Sequence, residues 1–277
     1  MTVDERPAVL LVPGFLGSPP MYGRMADRLL ARGAASVLVA PVWTPDWMVA
    51  VALGYGPVLG RTARAVVRAY RAGGQRPLLV VGHSAGGIAG RLITSPRPFR
   101  GHRAGFAEAV GALVTLGSPH VMAEVAASRL GAGYEACRFL DATIPGAWFA
   151  PRTAYVTVGS RFIVGAAAGD ASGNASGDAS GNAAGPSDPW RRLAGMLYTQ
   201  LGGEAARTGW GDGLIPEAAT HLEGSTSVTL DGIVHFPGLP APWYGSDEGL
   251  DGWWDLAVGA WRAALEARRI SGKPHAG

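Results

Sequence analysis

Six short apolar runs limit what this chain can fold into: Ala8–Val12, Ser36–Ala40, Pro77–Gly82, Ala112–Leu116, Ala154–Val158 and Thr226–Leu230. Most are apolar at successive positions, so a strand built from them would be buried on both faces, as in a parallel sheet covered by helices on each side. Helical patterns fill the intervals. Met21, Met25 and Leu29 recur every four residues ahead of Gly33, and Val58–Tyr70, Gly86–Ile93 and Gly252–Arg269 read as helices. This alternation predicts an α/β protein: one doubly wound domain over residues 1–277, with a mostly parallel sheet of about six strands.

Composition agrees and excludes other classes. The chain has 277 residues, enough for one sizeable core, and its 48% apolar and 16% charged content excludes a disordered or coiled-coil protein. A lone Cys137 can form neither an internal disulfide nor a cysteine zinc cage, and no H-E-x-x-H is present, so neither metal nor cofactor is expected. Lys273 is the only lysine; the arginines are scattered except for Arg61, Arg64, Arg68 and Arg71, whose spacing places one stripe on a helix. Without interleaved aromatic residues that stripe reads as a solvated helix face, and no nucleic-acid partner is expected. The start, Met1–Arg6 followed by a short apolar run, lacks the features of a secretory signal, and no stretch reaches the length of a membrane span. A soluble, cytoplasmic protein is the expectation.

One segment departs from the alternation. Gly169–Ser176 is followed by Gly177–Ala184, a near repeat of Gly, Ala, Ser, Asn and Asp. Residues 165–188 read as a flexible insertion, because this composition has nothing to bury. Pro189–Leu201 then reads as an amphipathic helix carrying Trp190, Leu193, Met196 and Leu197, and residues 189–210 would form either a lid or a segment packed on the rim.

The chemistry is concentrated after the third run. Gly82-His83-Ser84-Ala85-Gly86 follows a strand and opens a helix. In that context the G-x-S-x-G pattern has a mechanism: a sharp turn exposes the serine hydroxyl at the top of the sheet, and small residues two positions either side let strand and helix crowd together. A nucleophilic serine needs a base, and the base an orienting carboxylate, in the chain order Ser, acid, His. Asp212, between Gly211 and Gly213, and His235, after the last apolar run, fit that order in loops where catalytic groups commonly sit. Asp141, Asp188 and Asp231 are rival acids, and loop chemistry ranks Asp212 first. Among the histidines, His83 lies inside the turn and should point away from the serine's reacting side; His120 belongs to the rim of the pocket, and His102, His221 and His275 to surface or loops. An oxyanion would be held by backbone N–H groups, one from Phe15 in Val12-Pro13-Gly14-Phe15-Leu16-Gly17 and one from Ala85. Leu16, Trp43, Trp47, His120 and Trp148 are expected to line an apolar acyl pocket, with core packing as the competing role of the tryptophans.

Together Pro13–Gly17, Gly82–Gly86, Leu116–His120, Gly211–Pro216 and His235 resemble the α/β-hydrolase superfamily, specifically its lipase-like serine esterases. His221–Gly224, Leu230–Gly232 and Trp243–Ser246 are similar to a lipase-like subgroup of plants and photosynthetic bacteria. The resemblance implies a minimal hydrolase fold without the two leading strands of larger members, and a serine carboxylic-ester hydrolase with Ser84, Asp212 and His235 as triad. A small-molecule or lipid ester, and transiently a lipid interface, are the expected partners; the oligomeric state is left open. An acyltransferase or thioesterase would use the same triad, and a catalytically silent binding protein could share the scaffold.

Overall fold

The computed structural model describes residues 6–128, 130–167 and 188–271. Most of the expected insertion at 165–188, including the repeat, lies outside the described residues. The strands are β1 (Ala8–Val12), β2 (Ser36–Val39), β3 (Leu78–His83), β4 (Val110–Leu116), β5 (Ala154–Arg161), β6 (Ile163–Val164), β7 (Trp210–Gly211) and β8 (Thr226–Asp231). The helices are α1 (Gly23–Ala31), α2 (Thr44–Leu53), α3 (Gly56–Ala72), α4 (Ala85–Thr94), α5 (Gly131–Thr143), α6 (Asp188–Gly202), α7 (Asp247–Asp251) and α8 (Trp254–Ser271).

The six apolar runs form one six-stranded sheet in the order β2-β1-β3-β4-β5-β8, with every pairing parallel. Side chains alternate across a strand, and here both directions are apolar. Leu10, Val12, Leu78 and Val80 pack with Val58, Val66 and Ile88 of α3 and α4. Val9, Leu11, Leu79 and Val81 turn the other way, onto Met25 and Leu29 of α1 and Trp254 and Trp261 of α8. A register shift between Leu78 and Leu79 keeps β4 in phase, so that Val110 and Leu113 face one layer and Ala112, Val114 and Leu116 the other. The edge strands are less buried: Thr226 and Ser227 of β8 and Ser36 of β2 are exposed.

The helix boundaries differ locally from expectation. Met21 lies in a short 3-10 turn, Pro19–Tyr22, and is exposed, so α1 begins at Gly23. The helix expected over Gly252–Arg269 is α8, which begins at Trp254, and the short α7 precedes it. The arginine stripe lies on the outer face of α3, with Arg64, Arg68 and Arg71 exposed and Arg61 paired to Asp46 at 2.7 Å. Among the described residues, no helix is long and apolar enough to cross a membrane.

Candidate active site

A parallel sheet delivers every strand to the same edge, so the loops after β1, β3, β4 and β5 converge. Ser84 stands at the end of β3, with φ 53° and ψ −129°, a conformation that costs energy for any residue with a Cβ. It is held because its N–H donates to the Leu116 carbonyl at 2.8 Å and because the surrounding glycines leave space for the turn. A Cβ on Gly86 would overlap the Val12 carbonyl, and one on Gly82 would stand 2.5 Å from the Gly87 Cα. The loop after β1 closes on the same point. A Cβ on Gly14 would lie 2.8 Å from that of Ser84, and Gly17 N–H to Gly14 carbonyl closes the loop at 2.8 Å.

Asp212 lies just past β7, 2% exposed, and both its oxygens are occupied. Oδ1 accepts from the N–H groups of Ile215 at 2.7 Å and Leu214 at 3.0 Å. Oδ2 faces the Nδ1 of His235 at 2.7 Å and accepts from the Tyr244 hydroxyl at 2.9 Å. Burial on its own would raise this carboxyl, but the charge and hydrogen bond of His235 and the two backbone donors outweigh it, and Asp212 sits below its ordinary range. The His235 N–H also donates to the Asp212 carbonyl at 3.0 Å, so backbone and side chain register the two loops. A carboxylate can only accept, so Nδ1 carries the imidazole proton and Nε2 offers its lone pair. That Nε2 is buried and has no hydrogen-bond partner.

Two further side chains brace this group. Burial, reinforced by Asp212, pushes the Tyr244 phenol well above its ordinary range, so it remains a donor. His83 lies with its ring 4.8 Å from that of His235, and its Nε2 meets the His235 carbonyl at 3.0 Å. Burial, with His235 beside it, holds His83 down to about 3, so it is neutral.

No family model matches this chain, and no curated protein matches it in sequence. Solved structures do. The mature form of the Bacillus licheniformis lipase BlEst2 superposes with a TM-score of 0.57 at 17% identity, over 94% of each chain. Its propeptide form superposes at 0.51 and 16% identity, covering 94% of this chain and 51% of that one. The chain has the α/β-hydrolase fold.

In this α/β-hydrolase sheet the expected residues fall into three groups. Ser84, Ala85, Phe15, Leu16, Asp212 and His235 lie at the C-terminal edge, with Trp43 and Trp47 after β2 on that edge as well. Trp47 is 1% exposed, its ring 6.1 Å from that of Phe15, while Phe15, Leu16 and Trp43 are more than 40% exposed. His120 is interior rather than on an open rim: it is 1% exposed, and its Nε2 meets Thr115 Oγ1 at 2.8 Å. Trp148 is a correction. It sits in the loop leading into β5, where Ala147 N–H donates to the Glu223 carbonyl just ahead of β8. That is the N-terminal edge of the sheet, opposite Ser84, because a loop entering a parallel strand lies at the other end from one leaving it. A cavity of about 640 Å³ among Val66, Tyr70, Gln75 and Phe106 lies on that far edge too.

Neither Asp141 nor Asp231 meets His235. Asp141 is on α5 and Asp231 ends β8, while the side chain of Asp188 lies outside the described residues. The helix expected at 189–201 is α6. Its Tyr198 donates to the Ile163 carbonyl at 3.2 Å and accepts from Gly213 N–H at 3.1 Å, supporting the Asp212 loop from behind. Trp190, Leu193 and Met196 face outward. Sequence reasoning missed Tyr22, His83 and Tyr244 as parts of the site. Tyr244 left a trace as part of the Trp243–Ser246 stretch and His83 as part of the Gly82–Gly86 turn, but neither was given a role; Tyr22 left none.

Proposed function

We propose that the protein is a serine carboxylic-ester hydrolase. The observation that carries the reading is the buried Asp212–His235 pair, whose Nε2 lone pair is unspent in the loop cluster that holds a strained Ser84. Ser84 Oγ attacks the acyl carbon and gives its proton to His235 Nε2. Asp212 keeps the imidazole in the required tautomer and stabilises its charged form. The Phe15 and Ala85 N–H groups receive the oxyanion, an interaction worth about 3 kcal/mol per donor. Ala85 opens α4, where the first N–H groups lack intrahelical acceptors, which supports that role. His235 then protonates the leaving alkoxide. Water, deprotonated by the same nitrogen, releases the acid and restores Ser84.

An apolar acyl ester is the substrate class the rim favours. Phe15, Leu16 and Trp43 are exposed beside α2, whose Met48, Val49 and Val51 are exposed in turn, so the approach to Ser84 is apolar and suits a lipid-like ester or its interface. The test is a fluorophosphonate probe together with p-nitrophenyl esters of rising chain length. Labelling and turnover that vanish in Ser84→Ala, with rates rising beyond acetate, are the expected result. A Ser84→Ala chain that still labels would overturn the assignment, and a steep preference for acetate would overturn the substrate class.

A further inference from the structure

We propose that Tyr22 and His83 form a positioning relay that ties the Pro13–Gly17 loop to the His235 loop, setting the oxyanion donors and the general base in one mutual geometry. The inference rests on the ester-hydrolase reading for its catalytic meaning, but its geometry stands separately.

The direction of each hydrogen bond follows from the donors available. The Gly14 N–H donates to the Tyr22 hydroxyl at 2.9 Å. That hydroxyl has one proton, and its other contact is His83 Nδ1 at 2.8 Å. At the far end His83 Nε2 faces the His235 carbonyl at 3.0 Å, and a carbonyl only accepts. Nε2 therefore carries the proton, Nδ1 accepts, and Tyr22 donates to it. The chain reads Gly14 N–H to Tyr22 O–H to His83 to the His235 carbonyl, with no donor left over and no acceptor competing.

Each end terminates on backbone belonging to the chemistry. Gly14 immediately precedes Phe15 and packs on Ser84, while the His235 carbonyl belongs to the base itself. His83 is covalently joined to Ser84. Two polar rings at 2% and 3% exposure among Met25, Leu79, Val81 and Trp243 are costly unless fully satisfied, and apolar side chains would fill that space at lower cost. What the polar pair adds is a directional link between segments 61 and 152 residues apart in sequence. Because His83 is uncharged, the link does not place a second positive charge beside His235 when that ring takes the serine proton.

The experiment uses the full chain and the variants Tyr22→Phe, His83→Leu and His83→Gln, with p-nitrophenyl butyrate turnover, fluorophosphonate labelling rate and imidazole ¹⁵N–¹H spectra. Tyr22→Phe and His83→Leu should each lower kcat about tenfold or more with KM within about twofold, since a sub-ångström misplacement acts on the reaction rather than on binding. His83→Gln, which retains an N–H for the His235 carbonyl, should recover most of that loss. In the wild type the spectra should show His83 protonated at Nε2 alone, with the His235 signals displaced in Tyr22→Phe. Turnover in Tyr22→Phe within twofold of wild type, or His83→Leu as active as His83→Gln, would overturn the relay. If Tyr22→Phe does not fold, the His83 pair decides. A wild-type chain that neither labels nor turns over defeats the hydrolase reading instead; the spectra then judge the relay, and a His83 ring protonated at Nδ1 sinks it.

Discussion

The Tyr244 hydroxyl donates to Asp212 Oδ2 at 2.9 Å, and it shares that oxygen with His235. Tyr244→Phe removes one donor from a buried carboxylate while leaving its other partners in place. A charge-assisted hydrogen bond of this kind is worth about 2 kcal/mol, so the urea midpoint should fall accordingly. Activity should fall by about threefold to tenfold, because Asp212 loses orientation but keeps its charge. An unchanged midpoint would show that the bond contributes nothing net.

Gly117 lies beneath the same carboxylate. Its φ is +54°, and an added Cβ would stand 2.7 Å from Asp212 Oδ2 and 2.9 Å from the Tyr244 ring. Gly117→Ala should therefore cost about 2–4 kcal/mol and sharply lower turnover, since strain and displacement act together. Gly259, exposed within α8 with nothing near its Cβ position, gives the contrasting case. Gly259→Ala should raise stability by about 1 kcal/mol with turnover unaffected. Thermal or urea unfolding of the two variants checks both signs.

Ser84 stores strain that the proposed chemistry requires. A glycine adopts φ near 53° without penalty, so Ser84→Gly should abolish labelling and raise stability by about 1 kcal/mol. A loss of stability in this variant would mean that the elbow is not strained.

Two buried histidines predict acid sensitivity. His83 is held down to about 3 and His120 well below its ordinary value, in both cases first by burial. Unfolded histidines bind protons below about pH 6.5 while these two do not, so the unfolded state gains protons and stability is lost as pH falls. Each contributes a slope of about 1.4 kcal/mol per pH unit between the unfolded value and its own lowered one. Asp212 acts in the same direction at lower pH: its depressed carboxyl stabilises the fold above the unfolded value of about 3.9, and that contribution is lost as pH falls toward the folded one. Urea midpoints should thus drop steeply from about pH 6 to about pH 4. A flat profile would show that both rings become protonated without unfolding.

Parts of the site were legible because their signals are local. The apolar run ending in Gly82 and the glycines around Ser84 are a pattern within one strand and one turn. Asp212 between two glycines and His235 after the last strand were readable as loops. Helix α2 was not legible, because Trp47, Met48, Val49, Ala50 and Val51 are apolar in succession and leave no period of 3.6; the helix is apolar even where it is exposed. Tyr22 and His83 read as ordinary neighbours of a turn, since nothing within a few residues of either indicates a partner 61 or 152 positions away. Trp148 was misplaced for a topological reason: its loop precedes β5 rather than following β4, and in a parallel sheet that difference selects the opposite edge.

The amino-acid sequence by itself determined that six segments become strands of one sheet and that the four inner ones are buried on both faces, because runs apolar at successive positions can be satisfied only between two layers of helices. It also determined the sharp turn at Ser84, where small residues permit what larger ones forbid. Only the tertiary structure decided that β1 lies between β2 and β3, that Asp212 rather than Asp141 or Asp231 meets His235, and that Tyr22, His83 and Tyr244 brace the result. Those contacts join residues far apart along the chain, and their geometry arises from the packing of whole elements rather than from any local preference.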